Sequence, residues 1–242
     1  MQIVITASAS SEDNFLQAGF MQPKNLVNFR GFSILDYVIR QYENLNTLIT
    51  VTLDINECRK YYTDQMILKN HPGIRIVQIP SGNHGALCSA LLGIDQAQPG
   101  PVVIVPGDSV CRNVTSDVIQ NFRELEADSG TVIFQSDSPR WSYVRTNSKN
   151  DILEIAEKRV ISQFATTGFF YFRDVDTFID GATWALVNAT NLNGRYYVSH
   201  SLHKILAMQK KVIAHTLDDP RLYLSFSSPA ELAQRLEQDE NR

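Results

Sequence analysis

The sequence predicts an α/β protein: a mostly parallel, mixed sheet with helices on both faces, giving a three-layer α/β/α sandwich with a β-richer second half. Three observations carry this. Short β-branched runs alternate with segments of helical period over residues 1–128, and strands joined through helices pair in parallel. From about residue 130 strand-like runs follow one another with turn residues between them. The run "PVVIVPGD" at 101–108 is apolar until it ends in a Gly-Asp turn, as expected of a strand buried on both faces.

In order, "IVIT" at 3–6 is the first strand and "ILDYVIRQYENL" at 34–45 a helix, followed by the strand "LITVTL" at 48–53. "CRKYYTDQMILKN" reads as one helix, "IRIVQI" at 74–79 as a strand and "GALCSALLGIDQA" as a helix. "GTVIFQS", "WSYVRTN", "DILEIAEK" and "TTGFFYF" are strand-like. "DVDTFIDGATWALVNA" and "VSHSLHKILAMQ" read as helices and "KVIAHTL" as a strand. "SPAELAQRLEQ" is a closing helix, with Ser228 as N-cap and an acidic residue three positions on. There is no internal repeat and no low-complexity linker, so residues 1–242 read as a single unit.

The bulk properties exclude more than they select. With 43% hydrophobic and 20% charged residues the chain has ordinary globular composition. A net charge of −4 lacks the basic surplus of a general nucleic-acid binder, so any polyanion must be held locally. Three cysteines without C-x-x-C spacing suggest neither a disulfide framework nor a zinc site. "MQIVIT" is no signal peptide and no apolar run approaches a membrane span, so a cytoplasmic setting with no membrane partner is expected.

Four stretches carry candidate chemistry. A loop leaving the first parallel strand presents backbone N–H groups to an anion, and here it offers Ala7, Ser8, Ser10 and Ser11 in "ITASASSEDNF". Lys24, set by Pro23, would add a point charge at that mouth; a polar surface loop with a solvated lysine is the competing reading. Asp108 follows a buried strand, where a carboxylate needs a partner, and a divalent cation bridging to phosphates is a common one. Gly82 and Gly85 in "SGNHGALC" allow close backbone approach to a flat ligand, with His84 a loop residue beside them. Glu157 and Lys158 sit at a strand end ahead of Thr167 and Gly168, a set suited to a phosphorylated, hydroxyl-bearing substrate or simply to solvent.

Taken together these segments resemble the sugar-phosphate nucleotidyltransferases, the nucleotide-sugar pyrophosphorylases, across nearly the whole chain. The order "AGFMQPKNLVNFRGFSILDYVI", "GALCSALL", "VVIVPGDS", "PRWSYVRTN", "EIAEKRVISQFATTGFFYF", "NGRYYVSHSLHKIL" and "SSPAELAQRL" matches. The resemblance implies a nucleotide-diphospho-sugar transferase-like fold with a nucleotide-binding half at 1–128 and a sugar-phosphate-binding half at 129–242. It also implies union of a nucleoside triphosphate with a sugar or polyol phosphate, with release of pyrophosphate, for cell-envelope or polysaccharide precursors. It assigns Lys24 to phosphate, Asp108 to Mg²⁺, Gly85 to the nucleobase, and Trp141, Glu157, Lys158 and Gly168 to the sugar-phosphate side. It allows a homodimer.

Two departures stand out. The family's first loop reads close to G-x-G-x-x-R, whereas here serines replace both glycines and Glu12, Asp13 and Asn14 lie where the arginine belongs. Carboxylates beside a polyphosphate repel it unless a metal intervenes. Near the C-terminus, where the family often has a second metal-binding carboxylate, stand Ser225 and Ser227, with Asp218 and Asp219 as candidate substitutes. An alternative follows: a catalytically inactive homologue that binds a nucleotide sugar or sugar phosphate as a regulatory or assembly subunit.

Overall fold

The computed structural model describes residues 1–8, 14–82, 84–112, 115–188 and 191–240. β1 (Gln2–Thr6) is followed by α1 (Asn14–Gln17), a 3-10 turn at Lys24–Leu26, and a small hairpin of β2 (Asn28–Phe29) and β3 (Phe32–Ser33). Then come α2 (Ile34–Arg40), β4 (Leu48–Asp54), α3 (Ile55–Tyr61), α4 (Thr63–Asn70), β5 (Arg75–Ile79), α5 (Ala86–Gly93) and β6 (Val102–Pro106). The second half runs β7 (Ser109–Cys111), α6 (Thr115–Glu124), β8 (Ser129–Gln135), β9 (Ser142–Thr146), β10 (Ile152–Glu157) and β11 (Phe164–Phe172). It closes with α7 (Val175–Val187), α8 (Leu202–Ala207), β12 (Val212–Thr216), β13 (Tyr223–Ser225) and α9 (Pro229–Glu240).

Nine of these strands form one sheet. β5, β4, β1 and β6 are mutually parallel, with Ile5 opposite Val51 on one side and Val105 on the other. β11 runs antiparallel to β6 and carries the rest: it pairs with β8, touches β9, and β8 takes β12 in parallel. Apolar side chains alternate between two faces because successive strand residues point in opposite directions. Ile3, Ile5, Val103, Val105 and Tyr171 pack on one face with Leu35 and Val38 of α2 and Phe122 of α6. Val4, Val102, Ile104 and Phe172 pack on the other with Leu87 of α5 and Phe178 of α7. This is the expected three-layer sandwich.

Four local readings needed correction. The helix expected over 34–45 stops at Arg40, where the chain turns to bury Tyr42 and leaves through Asn46 at φ 45°. The single helix expected over 58–70 is two, broken at Tyr62 with φ 55°. The break lets the Thr63 hydroxyl donate 3.0 Å to buried Glu57, which also accepts from Asn25. α5 ends at Gly93, where the chain turns extended at Ile94, and the glycine lets the helix end sit against the sheet, a Cβ there falling 2.7 Å from Thr52 Cγ2 and 2.8 Å from Val4 Cγ1. The helix over 198–209 opens as a 3-10 turn, Val198–Ser201, before α8.

One pairing escaped the sequence. β7, directly after the Gly-Asp turn, joins β13 from the far end of the chain, with Ser109 opposite Ser225. This ribbon closes the carboxyl end of β6.

Candidate active site

The site forms where parallel strands end and leave backbone groups to be used by a ligand. Lys24 is placed by its neighbour: Asn25 is buried and donates to the Ala7 carbonyl at 2.9 Å and to Glu57, tying the strap to the end of β1. Lys24 Nζ donates to Asp108 Oδ2 at 2.6 Å, with both side chains only about one-fifth exposed (19% and 23%). Asp108 itself is fixed by its backbone. Its carbonyl accepts from Phe226 N at 2.8 Å, and Gly107 N donates to Thr6 O at 2.9 Å. A Cβ on Gly107 would come within 2.6 Å of Ala7 Cβ, so the turn carrying Asp108 lies tight against the first loop.

Asp108 opens onto a cleft of about 240 Å³ that also gathers Trp141, Glu157, Lys158, Thr167 and Gly168. Glu157, at the end of β10, accepts from the Ser142 hydroxyl and, at 2.7 Å, from Ser199. Burial pushes its carboxyl above the ordinary glutamate range, against the two hydroxyl donors and the Lys158 ammonium. Lys158 takes φ 50°, donates to Tyr197 Oη at 2.8 Å, and anchors its own N–H on the Trp141 carbonyl. Trp141 carries the Arg140 guanidinium 4.1 Å above its ring and packs edge-on to Phe134 and Tyr223. Gly168 is the bulge in β11 where its pairing with β8 slips, and a Cβ there would meet Pro106 at 3.0 Å. Thr167 spends its hydroxyl on the Val132 carbonyl.

The raised pKa of Glu157 has a testable sign. An acid raised in the folded state stabilises the fold at low pH and loses that contribution as pH rises from its unfolded value, about 4.3, through the folded one. Glu157→Gln, neutral throughout, is expected to flatten the decline in melting temperature over that window. An unchanged slope would remove Glu157 as its cause.

The other expected residues lie apart from this cleft. Ala7 N donates to Thr52 O at 3.0 Å, and Ser8 bridges to Ser89 of α5 through a 2.8 Å hydroxyl pair. Ser10, Ser11, Glu12 and Asp13 lie outside the described residues. Asn14 donates to Ser227 O at 3.0 Å, linking the far end of that loop to the C-terminal segment. Gly82 (φ 75°) has nothing within 4 Å of a Cβ position. Gly85 is constrained by protein: a Cβ there would stand 2.5 Å from the Tyr196 carbonyl oxygen. His84 serves by its backbone, accepting from Tyr196 N at 2.6 Å.

Asp219 is held by its own turn, accepting from Arg221 N at 2.9 Å and pairing with that guanidinium. The carboxylate that reaches the β13 end of the cleft is Glu231, expected only as a capping residue. Its N–H does donate to Ser228 Oγ, at 3.3 Å, but its carboxylate accepts from Ser225 and Ser227 and pairs with Arg140. Burial would raise its pKa; Ser227, Ser225 and Arg140 outweigh that and hold it below the usual range. Arg140, Ser142, Tyr197, Ser199 and Glu231 were missed. An arginine before Trp141 was the one local signal; the others are brought in by long-range folding.

A divalent cation fits this site in a limited sense. Among the described residues no three His, Cys, Asp or Glu side chains converge to hold a metal. Mg²⁺ needs only one or two carboxylates when substrate phosphates complete its shell. Asp108, already facing an ammonium, meets that requirement. No helix among the described residues is long and apolar enough to cross a membrane.

An open α/β sheet with a lysine–aspartate pair beside a cleft at its carboxyl edge is the arrangement in which α/β proteins bind their ligands. Comparison with known proteins narrows it: residues 20–187 match the nucleotidyl transferase family, and the chain belongs to that family. It is 22% identical over 232 residues to a UTP–glucose-1-phosphate uridylyltransferase of Haloferax volcanii, with 90% of this chain and 89% of that protein covered. The fold matches a nucleoside-diphosphate-sugar pyrophosphorylase from Vibrio cholerae with a TM-score of 0.84 at 17% identity, over 98% of this chain and 100% of that one. It also matches an inositol-1-phosphate CTP transferase from T. maritima, TM-score 0.75 at 17% identity, over 98% and 93% of the two chains. The family expected from sequence therefore stands.

Proposed function

We propose that the protein joins a nucleoside triphosphate to a sugar or polyol phosphate and releases pyrophosphate. The observation that carries this reading is the Lys24–Asp108 pair, 2.6 Å apart, at one side of a cleft whose lining also holds Glu157 and Lys158. Family membership and the names of the relatives support the same substrates. The reaction makes a bond between an acceptor phosphate oxygen and the α-phosphorus while the bond to the departing pyrophosphate breaks. Such a step needs alignment and charge neutralisation rather than a protein nucleophile.

Each residue then has a task. Lys24 turns from Asp108 to the triphosphate. Residues 1–128 hold the nucleotide, with Ala7, Ser8, Ser10 and Ser11 at the phosphates and Gly82 and Gly85 at the base. Residues 129–242 hold the acceptor: Lys158 its phosphate, Glu157 with Ser142 and Ser199 its hydroxyls, and Trp141, Thr167 and Gly168 its walls. A divalent cation such as Mg²⁺, held by Asp108 and substrate phosphates, would neutralise the polyphosphate charge. A cytoplasmic homodimer supplying polysaccharide precursors belongs to the same reading.

The test is pyrophosphate release from each common nucleoside triphosphate, with divalent metal, across a panel of sugar and polyol phosphates. Release is expected with a single triphosphate paired to a narrow set of acceptors. If no pair reacts while a nucleotide sugar still raises the melting temperature, the inactive homologue is the correct reading, and the serine loop without arginine is the reason.

A further inference from the structure

Behind the β7–β13 ribbon lies a second cavity, about 470 Å³, whose rim is set by Arg30, Arg112, Arg221 and Arg235. The four arginines come from four separate places: the β2–β3 hairpin, the residue after β7, the turn before β13, and α9. No acidic side chain is among the described residues lining it. Arg221 is paired with Asp219 beside it, yet in a chain of net charge −4 four guanidinium groups around one cavity favour an anion there. Long-range pairing builds it, since Arg112 N donates to Leu222 O at 2.8 Å and an Arg112 guanidinium nitrogen to Arg221 O at 3.2 Å.

Arg112 makes the strongest case. Its Nε is buried and has no hydrogen-bond partner among the described residues. A buried charged donor left unmet is unfavourable, and an anion entering the cavity is what would meet it. The geometry points to a phosphorylated anion, because a guanidinium fork matches phosphate oxygens in pairs. The cavity volume lies within the range of small-molecule sites, and buried Phe29, Phe134 and Tyr223 give it apolar walls.

We infer that this cavity is an anion site for a diphosphate-bearing small molecule, distinct from the cleft and joined to it through the ribbon. Tyr223 borders both spaces. Phe226, one residue past β13, donates its N–H to the Asp108 carbonyl. Occupancy of the cavity therefore bears on the strand end that positions Asp108.

The experiment is calorimetric titration of the full chain with inorganic pyrophosphate and with uridine diphosphate, which separates a bare diphosphate from one carried on a nucleoside. Binding of either probe at the cavity supports the site. Lys24→Ala alters only the cleft. Arg112→Gln with Arg235→Gln changes two guanidinium groups of the cavity and no residue of the cleft lining, and the single Arg221→Gln, at a side chain 76% exposed, is the variant with the least structural cost. In a Lys24→Ala background one binding event is expected to survive, and Arg221→Gln to weaken it about ten- to a hundredfold, the worth of a charge-assisted hydrogen bond. Wild-type affinity and stoichiometry in both arginine variants would overturn the site. Because the surviving event is measured without Lys24, its presence or absence is independent of whether the cleft turns over.

Discussion

Asp108→Ala is expected to lower turnover by roughly 10²–10³-fold or more while leaving the fold standing, the scale seen when one electrostatic contact to a reacting group is removed. The loss follows from geometry. Asp108 is the carboxylate that meets Lys24, and on the proposed reading it also receives the cation that accompanies the triphosphate. Removing it leaves the ammonium facing an uncharged methyl and leaves phosphate charge unbalanced in a partly buried cleft, where screening by water is weak. Stability should fall by a limited amount: the pair is about four-fifths buried, so losing the carboxylate costs something, but the Phe226 N–H to residue 108 carbonyl bond is one that alanine keeps. Melting temperature, metal dependence of pyrophosphate release, and turnover measured together decide the matter. Turnover near the wild-type rate with a native melting temperature would sink the assignment.

Gly85→Ala is expected to destabilise the protein by about 3 kcal/mol, combining backbone strain of about 1–3 kcal/mol with overpacking of similar size. Gly85 sits at φ 103° and ψ 179°, a region open to glycine and costly for any residue with a side chain. The added methyl would stand 2.5 Å from the Tyr196 carbonyl oxygen and 2.9 Å from its nitrogen, both backbone atoms that cannot rotate away. For a chain of this size that is on the order of 6–12 °C in melting temperature. Function should fall as well. Tyr196 precedes Tyr197 and Ser199, which hold Lys158 and Glu157, so a displaced segment loosens the acceptor side. Gly82→Ala is the control. Its φ is also positive, 75°, but a Cβ there meets nothing within 4 Å, so only about 1–2 kcal/mol of left-handed strain applies. Equal destabilisation by the two substitutions would show that contact with Tyr196 is not the cause.

The candidate site was half legible. Lys24, Asp108, Glu157, Lys158 and Gly168 could be read because each is punctuation in the chain: a Pro-Lys step, a Gly-Asp turn after a buried strand, a charged pair at a strand end, a glycine inside a strand. Glu231 could not. Locally it is the third residue of a helix after Ser228, and the capping pattern explains it completely. Its contacts with Ser225 and Ser227 are local, six and four positions back, and only tertiary folding brings Arg140 to the same carboxylate and sets all of them at the end of the cleft.

What the sequence determined by itself was the layered fold: β1 and β6 are apolar at consecutive positions, Ile3 to Ile5 and Val102 to Val105, and such strands are stable only when helices cover both faces. Tertiary structure decided the breaks and the partners. The helix over 58–70 divides at Tyr62 because a buried network of Asn25, Glu57 and Thr63 takes precedence over local propensity. The same holds for the chemistry. Side-chain periodicity reports which face is buried, a local property, whereas the meeting of Lys24 with Asp108 across 84 positions, and of Ser199 with Glu157 across 42, depends on strand order and register.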